Sequence, residues 1–162
     1  MISWRVTKYN PLNRDESGNY LDEKEWTSYS EVGAKVSEED YLITESNYVN
    51  AIISFMEELG INRVHLSDLE LWSEEVRNQN TSSFLTKVWV GKGVSTHEIR
   101  ELAKLSLRNA IWCKLNYKKD FFVHFGYDYY MYIGAYKDCP RAHKKVQETG
   151  LFVEKIKSPY LD

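Results

Sequence analysis

The sequence predicts an α+β domain in which helices pack on a largely antiparallel sheet. Three observations carry this reading. Two capped runs show helical periodicity, several short runs alternate apolar and polar residues, and the elements follow the order β-α-β-β-α-β-β-α-β with no internal repeat. At 162 residues the chain falls within the size of one domain. Such a chain buries roughly 68–70% of its unfolded surface, so its stability requires neither disulfides nor metals.

Residues 2–8 alternate Ile2, Trp4 and Val6 with Ser3, Arg5 and Thr7, the pattern of a half-buried strand that Asn10-Pro11 ends. Residues 12–35 form a long polar loop tethered by Trp26, Tyr29 and Val32. A loop of that length in a compact domain has a function or hides a short helix. Ser37-Glu38-Glu39-Asp40 resembles a capping box and opens a helix. Its apolar positions run from Tyr41 through Tyr48, Ile52 and Phe55 to Leu59, with Gly60 as the C-cap. Carboxylates in the first turn suit the positive end of the helix dipole; Glu57 and Glu58 oppose it at the other end, which points to a role outside helix stability.

A strand is predicted over 62–67, a short helix over 68–75 and a flexible polar loop over 77–83. A further strand over 84–90 is broken by Gly91-Lys92-Gly93. Ser95-Thr96-His97-Glu98 is a full capping box, and apolar positions from Ile99 through Ile111 to Leu115 extend its helix, with Cys113 inside it. Residues 121–125 and 129–135, joined at Gly126-Tyr127-Asp128, are apolar on both faces and read as central strands. Pro140 opens the last helix, Gly150 closes it, and 151–156 form the last strand.

The two cysteines, Cys113 and Cys139, are too few for a disulfide framework and read as reduced thiols. The N-terminus lacks the apolar run of a signal peptide, and no apolar run approaches the roughly 20 residues of a membrane span. The expectation is a cytoplasmic protein that does not enter a membrane. An aromatic content of 14%, with 12 Tyr and 5 Trp, argues against a disordered chain. The net charge of −3 conceals an asymmetry: residues 1–80 hold 16 acidic and 7 basic side chains (−9), residues 81–162 hold 8 and 14 (+6). An acidic face and a basic face follow if the two halves separate in space.

Several constellations bear on function. Asp68, Glu70, Glu74 and Glu75 surround Trp72, and Glu57 and Glu58 add charge nearby. An aromatic anchor ringed by carboxylates suits a basic protein partner, the ring supplying affinity and the charges speeding encounter. Gly91, Lys92, Gly93, Ser95 and Thr96 lead from a strand into a helix N-terminus, where backbone N–H groups can hold an anion. The spacing is neither a Walker loop nor a dinucleotide fingerprint. His124 with Asp128 four residues on could perform acid–base work, with Cys113 as nucleophile. Cys139 and His143 have one zinc-like spacing but no second ligand pair, so no metal or cofactor is expected.

The basic half interleaves Lys114, Lys118, Lys119, Lys137, Arg141, Lys144 and Lys145 with Tyr117, Tyr130, Tyr132 and Tyr136. That is the raw material for single-stranded nucleic acid, but no recognition signature accompanies it and the overall acidity opposes phosphate binding.

In size, acidity and α+β layout, the chain resembles the small cytosolic immunity proteins of bacterial toxin systems. The resemblance is one of general character over the whole chain, without a defining motif. It implies a non-catalytic binder that neutralises a basic toxin domain, and assigns no residue a role.

Overall fold

The computed structural model describes residues 1–161. The strands are β1 (Ile2–Thr7), β2 (Arg63–Leu71), β3 (Gly93–Ser95), β4 (Ile111–Tyr117), β5 (Phe121–Phe125), β6 (Met131–Ala135) and β7 (Phe152–Lys155). The helices are α1 (Glu38–Leu59), α2 (Ser73–Asn78), α3 (Ser82–Leu85), α4 (Thr96–Leu107) and α5 (Pro140–Glu148). All strands join one antiparallel sheet in the order β3-β2-β4-β5-β6-β1-β7. The α+β class is as predicted; the helix count and the identity of two strands are not.

Two predicted elements are corrected. The helix opened by Ser95 stops at Leu107, because Asn109 takes a left-handed backbone (φ 57°) that ends the turn. Residues 111–117 then form β4, with Ile111, Cys113 and Leu115 buried and Trp112, Lys114 and Asn116 between them. The apolar positions there satisfy a period of two as well as a helical count. Cys113 therefore lies on a central strand. The strand expected over 84–90 is absent: Leu85 and Val88, three residues apart, turn inward from α3 and the loop after it, leaving Trp89 and Val90 exposed. The sheet gains its edge strand from the glycine segment at Gly93 instead.

The short helix expected over 68–75 begins later, because β2 continues to Leu71. A bulge makes this possible. Leu66 pairs with Leu115 and Asp68 with Lys114, so Ser67 is an extra residue in the ladder. A one-residue insertion exchanges the two faces of a strand. Here it sets Leu69 against Cys113 and Leu71 against Ile111, and places Asp68 and Glu70 beside Lys114 and Trp112 on the other face.

α1, α4 and α5 cover one face of the sheet, and their buried residues join Trp4, Val6, Val64, Leu66, Val123 and Ile133 in a single core. Ser37 caps α1 through the Asp40 N–H (3.1 Å), and Gly60 ends it at φ 69°. Glu58, at that end, accepts the Ala142 N–H of α5 (2.6 Å) and faces Arg141 (3.5 Å). It caps a neighbouring helix whose own N-cap, Cys139, makes no side-chain cap.

The long loop is anchored rather than free. Trp26 is buried, Tyr29 begins a short 3-10 turn with a Ser28/Glu31 capping box, and the Lys8 ammonium bonds Glu25 and the Trp26 carbonyl over the Trp26 ring. On the other face of the sheet, residues 156–161 form a strap. Ser158 Oγ meets His124 Nδ1 at 2.9 Å, its N–H donates to Ser3 Oγ (3.2 Å), and Lys114 Nζ donates to the Tyr160 carbonyl (3.3 Å).

Gly134 lies opposite Phe122 in the β5–β6 ladder, and a Cβ there would come within 2.0 Å of the Phe122 ring. Gly134→Ala is expected to cost about 1–3 kcal/mol, the usual range for overpacking. Gly93→Ala, which meets only the flexible Arg63 side chain at 3.2 Å, is expected to cost much less. Urea unfolding of the two variants measures the difference.

His143 is wedged against Trp4 (4.7 Å between rings) and Phe55 (5.4 Å), with Nε2 buried and unbonded among the described residues. Burial lowers its pKa despite the opposing pull of Asp138 and Glu58. The folded state thus binds the proton less readily than the unfolded chain, so stability is full above the ordinary histidine value of about 6.5 and falls as pH drops through it. Urea midpoints at pH 7.5 and 5.5 are expected to differ more for the native protein than for His143→Phe.

Candidate functional site

A cleft of about 580 Å³ opens at the end of the sheet where β2 finishes and β4 begins. Glu70 from β2 and Trp72 and Glu75 at α2 form one wall; Trp112 of β4 and Tyr160 of the strap form another. Tyr127 and Asp128, from the β5–β6 turn, stand at the lip, and Thr27, Ser28 and Asn109 add neutral polar groups.

Local sequence explains the walls. The bulge at Ser67 turns Glu70 to the Trp112 face of the sheet. The Trp112 indole N–H donates to the Phe125 carbonyl (2.7 Å), fixing that ring. The β5–β6 turn closes by Tyr130 N–H to the Tyr127 carbonyl (3.1 Å), with φ 54° at Asp128 and 64° at Tyr129. Two successive left-handed residues make a type I′ hairpin turn. Aspartate tolerates that backbone; tyrosine does so at a cost of order 1–3 kcal/mol. Tyr129 is held there by packing on Trp26 (4.8 Å) and by the Tyr48 hydroxyl, which donates to its carbonyl (2.7 Å). The turn leaves Tyr127 83% exposed, and Trp72 is 46% exposed.

The charged residues that line the cleft are all acidic, although the Lys114 ammonium borders it, donating to the Tyr160 carbonyl (3.3 Å) and lying 5.6 Å from the Trp112 ring. No lysine, arginine or histidine lines the cleft. Among the described residues, the carboxylates of Glu70, Glu75 and Asp128 accept no hydrogen bond and join no ion pair. Three other acids of the first half pair with the second: Glu45 with Arg108, Glu57 with Lys145 and Glu58 with Arg141.

Of the acidic set read from the sequence, Glu70, Trp72 and Glu75 therefore converge. Glu74 is exposed on α2 outside the cleft lining, and Asp68 bonds the Leu69 N–H in the ladder opposite Lys114. Glu57 and Glu58 lie at the α1–α5 contact, and Glu58 is committed to capping. Trp112, Tyr127 and Tyr160 were missed as wall residues. Asp128 comes from a different candidate constellation. The alternation of 111–117 and the turn at 126–128 were the available signals.

The other candidates are internally occupied. In the 91–96 segment the anion is the protein's own: Glu98 receives Lys92 Nζ, the Ser95 N–H and the Ser95 hydroxyl. Gly91 donates to Leu66 and Gly93 pairs with His65, while Thr96 begins α4. His124 is buried, stacked on Phe122 at 4.3 Å and bonded to Ser158, whereas Asp128 is exposed on its turn. Burial pushes the Cys113 thiol up to about 12 and the Cys139 thiol up to about 11. No group of three or more potential metal ligands occurs among the described residues.

The basic set is dispersed. Lys118 and Lys119 sit on the β4–β5 turn, while Arg141, Lys144 and Lys145 lie on α5, where Arg141 and Lys145 pair with acids. Lys114 reaches the Tyr160 carbonyl and Lys137 lies over Tyr136. Tyr132 is buried, Tyr130 lies under Arg5 and Arg14, and Lys118 lies over Tyr117. Among the described residues no helix is long and apolar enough to cross a membrane. Compared with protein-family models, with curated proteins and with solved structures, the chain matches none.

Both thiols being protonated and buried, disulfide-exchange reagents at pH 8 are expected to label native Cys113 and Cys139 at least tenfold more slowly than the urea-unfolded chain. Fast labelling of Cys113 in the native protein would restore it as a nucleophile.

Proposed function

We propose that the protein is a non-catalytic binding module that docks a basic protein partner in this cleft. The observation that carries the reading is the coincidence of three unpaired carboxylates with exposed aromatic rings in one cavity that no basic residue lines. Exposed aromatics supply the buried anchor of an interface, and like-signed charges around them steer a partner of opposite sign. The candidate reactive groups support the non-catalytic part: His124 is committed to Ser158, and the Cys113 thiol is buried and protonated. The form of this function we favour is an immunity-type inhibitor that covers a basic toxin domain, in keeping with the general character of the chain.

A photo-crosslinker at position 127 tests the reading directly. It is expected to capture a basic protein from the cell of origin, while the same probe at position 144 on α5 captures none. With that partner in hand, Glu70→Lys with Glu75→Lys is expected to slow association about tenfold or more, and the native rate to fall steeply with salt. An acidic partner, or an unchanged association rate, would count against docking at this cleft.

A further inference from the structure

We infer that the cleft receives an arginine side chain of the partner, a proposal that rests on the docking reading above and specifies what enters. The carboxylates decide the chemistry. Covering an ionised carboxylate without giving it a donor is costly, so whatever fills the cleft must bring hydrogen-bond donors to Glu70, Glu75 and Asp128. A quaternary ammonium has none. A lysine has three on one point, whereas a guanidinium spreads five over a plane and engages carboxylates two bonds at a time.

The rings favour the same choice. Trp72 and Trp112 line the cavity together with those acids, and a flat cation stacks on an indole face while its edge meets the carboxylates. The protein shows that a wall ring accepts a cation: the Lys114 ammonium already lies 5.6 Å from the Trp112 ring centroid, although Lys114 itself does not line the cavity. The cavity, at about 580 Å³, is within the range for small ligands and has room for the side chain with neighbouring backbone. Among the described residues no arginine of this chain enters it; Arg108, Arg5 and Arg14 are drawn to Glu45 and Glu154 instead.

The experiment uses the full chain and the peptide acetyl-Gly-Ser-Arg-Ser-Gly-amide, with indole N–H resonances of the five tryptophans as the readout. The arginine peptide is expected to shift Trp72 and Trp112 saturably, leaving the buried Trp4 and Trp26 in place. The citrulline peptide, of equal shape but uncharged, is expected to bind at least tenfold more weakly, and the lysine and trimethyllysine peptides in between. Glu75→Gln and Asp128→Asn are each expected to weaken the arginine peptide several-fold, while Glu57→Gln at the α1–α5 contact leaves it unchanged. Neither carboxylate bonds within the fold, so the remaining spectrum should be preserved. Equal binding of the citrulline peptide, stronger binding of the trimethyllysine peptide, or no shift at millimolar arginine peptide would overturn the inference. If the crosslinked basic partner still associates more slowly with the charge-reversed cleft, that loss falls on the arginine alone and docking stands.

Discussion

The bidentate pair of Glu45 and Arg108 joins the parts on which the rest depends. Arg108 Nε and Nη2 donate to the Glu45 carboxylate at 2.6 and 2.8 Å, and Nη1 donates to the Gln79 side chain at 3.0 Å. The guanidinium also lies 5.5 Å from the Tyr29 ring. One side chain thus ties the middle of α1 to the end of α4, the end of α2 and the anchored loop. The Glu45 side chain is only 3% exposed, and the pair raises the arginine pKa through the carboxylate's hydrogen bonds. Losing Arg108 leaves the buried Glu45 carboxylate without its partner, at a cost of about 3 kcal/mol or less, because the Arg108 side chain is itself 23% exposed. α2 has six residues and a single buried side chain, Val76, so it has little packing of its own. It is held at its start by β2, through the Trp72 N–H donated to the Ala110 carbonyl (3.0 Å), and at its end by this junction, through Gln79.

The charge asymmetry of the chain is resolved by the same logic. The two halves meet where α1 lies against α4 and α5: Glu45, Glu57 and Glu58 pair there with Arg108, Lys145 and Arg141, while Glu38, Glu39 and Asp40 sit in the first turn of α1. The cleft draws its three acids from β2, α2 and the β5–β6 turn, where no basic residue shares the lining. The excess of negative charge in the first 80 residues is therefore a weaker guide to a surface than the question of which acids find partners.

The fold class, α1 with its caps, α5 from Pro140 and the fully buried β5 and β6 were legible because period, cap and turn chemistry agree there. The residues around β4 were not. Ile111, Cys113 and Leu115 fit two periods at once, and only the stop at Asn109 separates them from α4. Misplacing β4 hid Trp112, one of the cleft's wall rings. Glu70, Trp72 and Glu75 were visible as a local cluster. Asp128 and Tyr160 were joined to them by strand order and by the strap, which are long-range properties that no local pattern encodes. The dipole-opposing Glu57 and Glu58 were a sound anomaly whose explanation lies on another helix.

The bulge at Ser67 and the I′ turn give the cleft a rim of side chains that lie outside the core, although the segments carrying them are anchored to it by Val76 and Tyr129. Glu70, Tyr127 and Asp128 are exposed and Glu75 is half-buried, and none of the four belongs to the core. Identities at 70, 75 and 127 can change with little effect on the assembly beneath them, whereas position 128 is held to residues that tolerate its left-handed backbone. A lineage that has to follow a changing counterpart could rewrite its rim one residue at a time while the scaffold stays as it is.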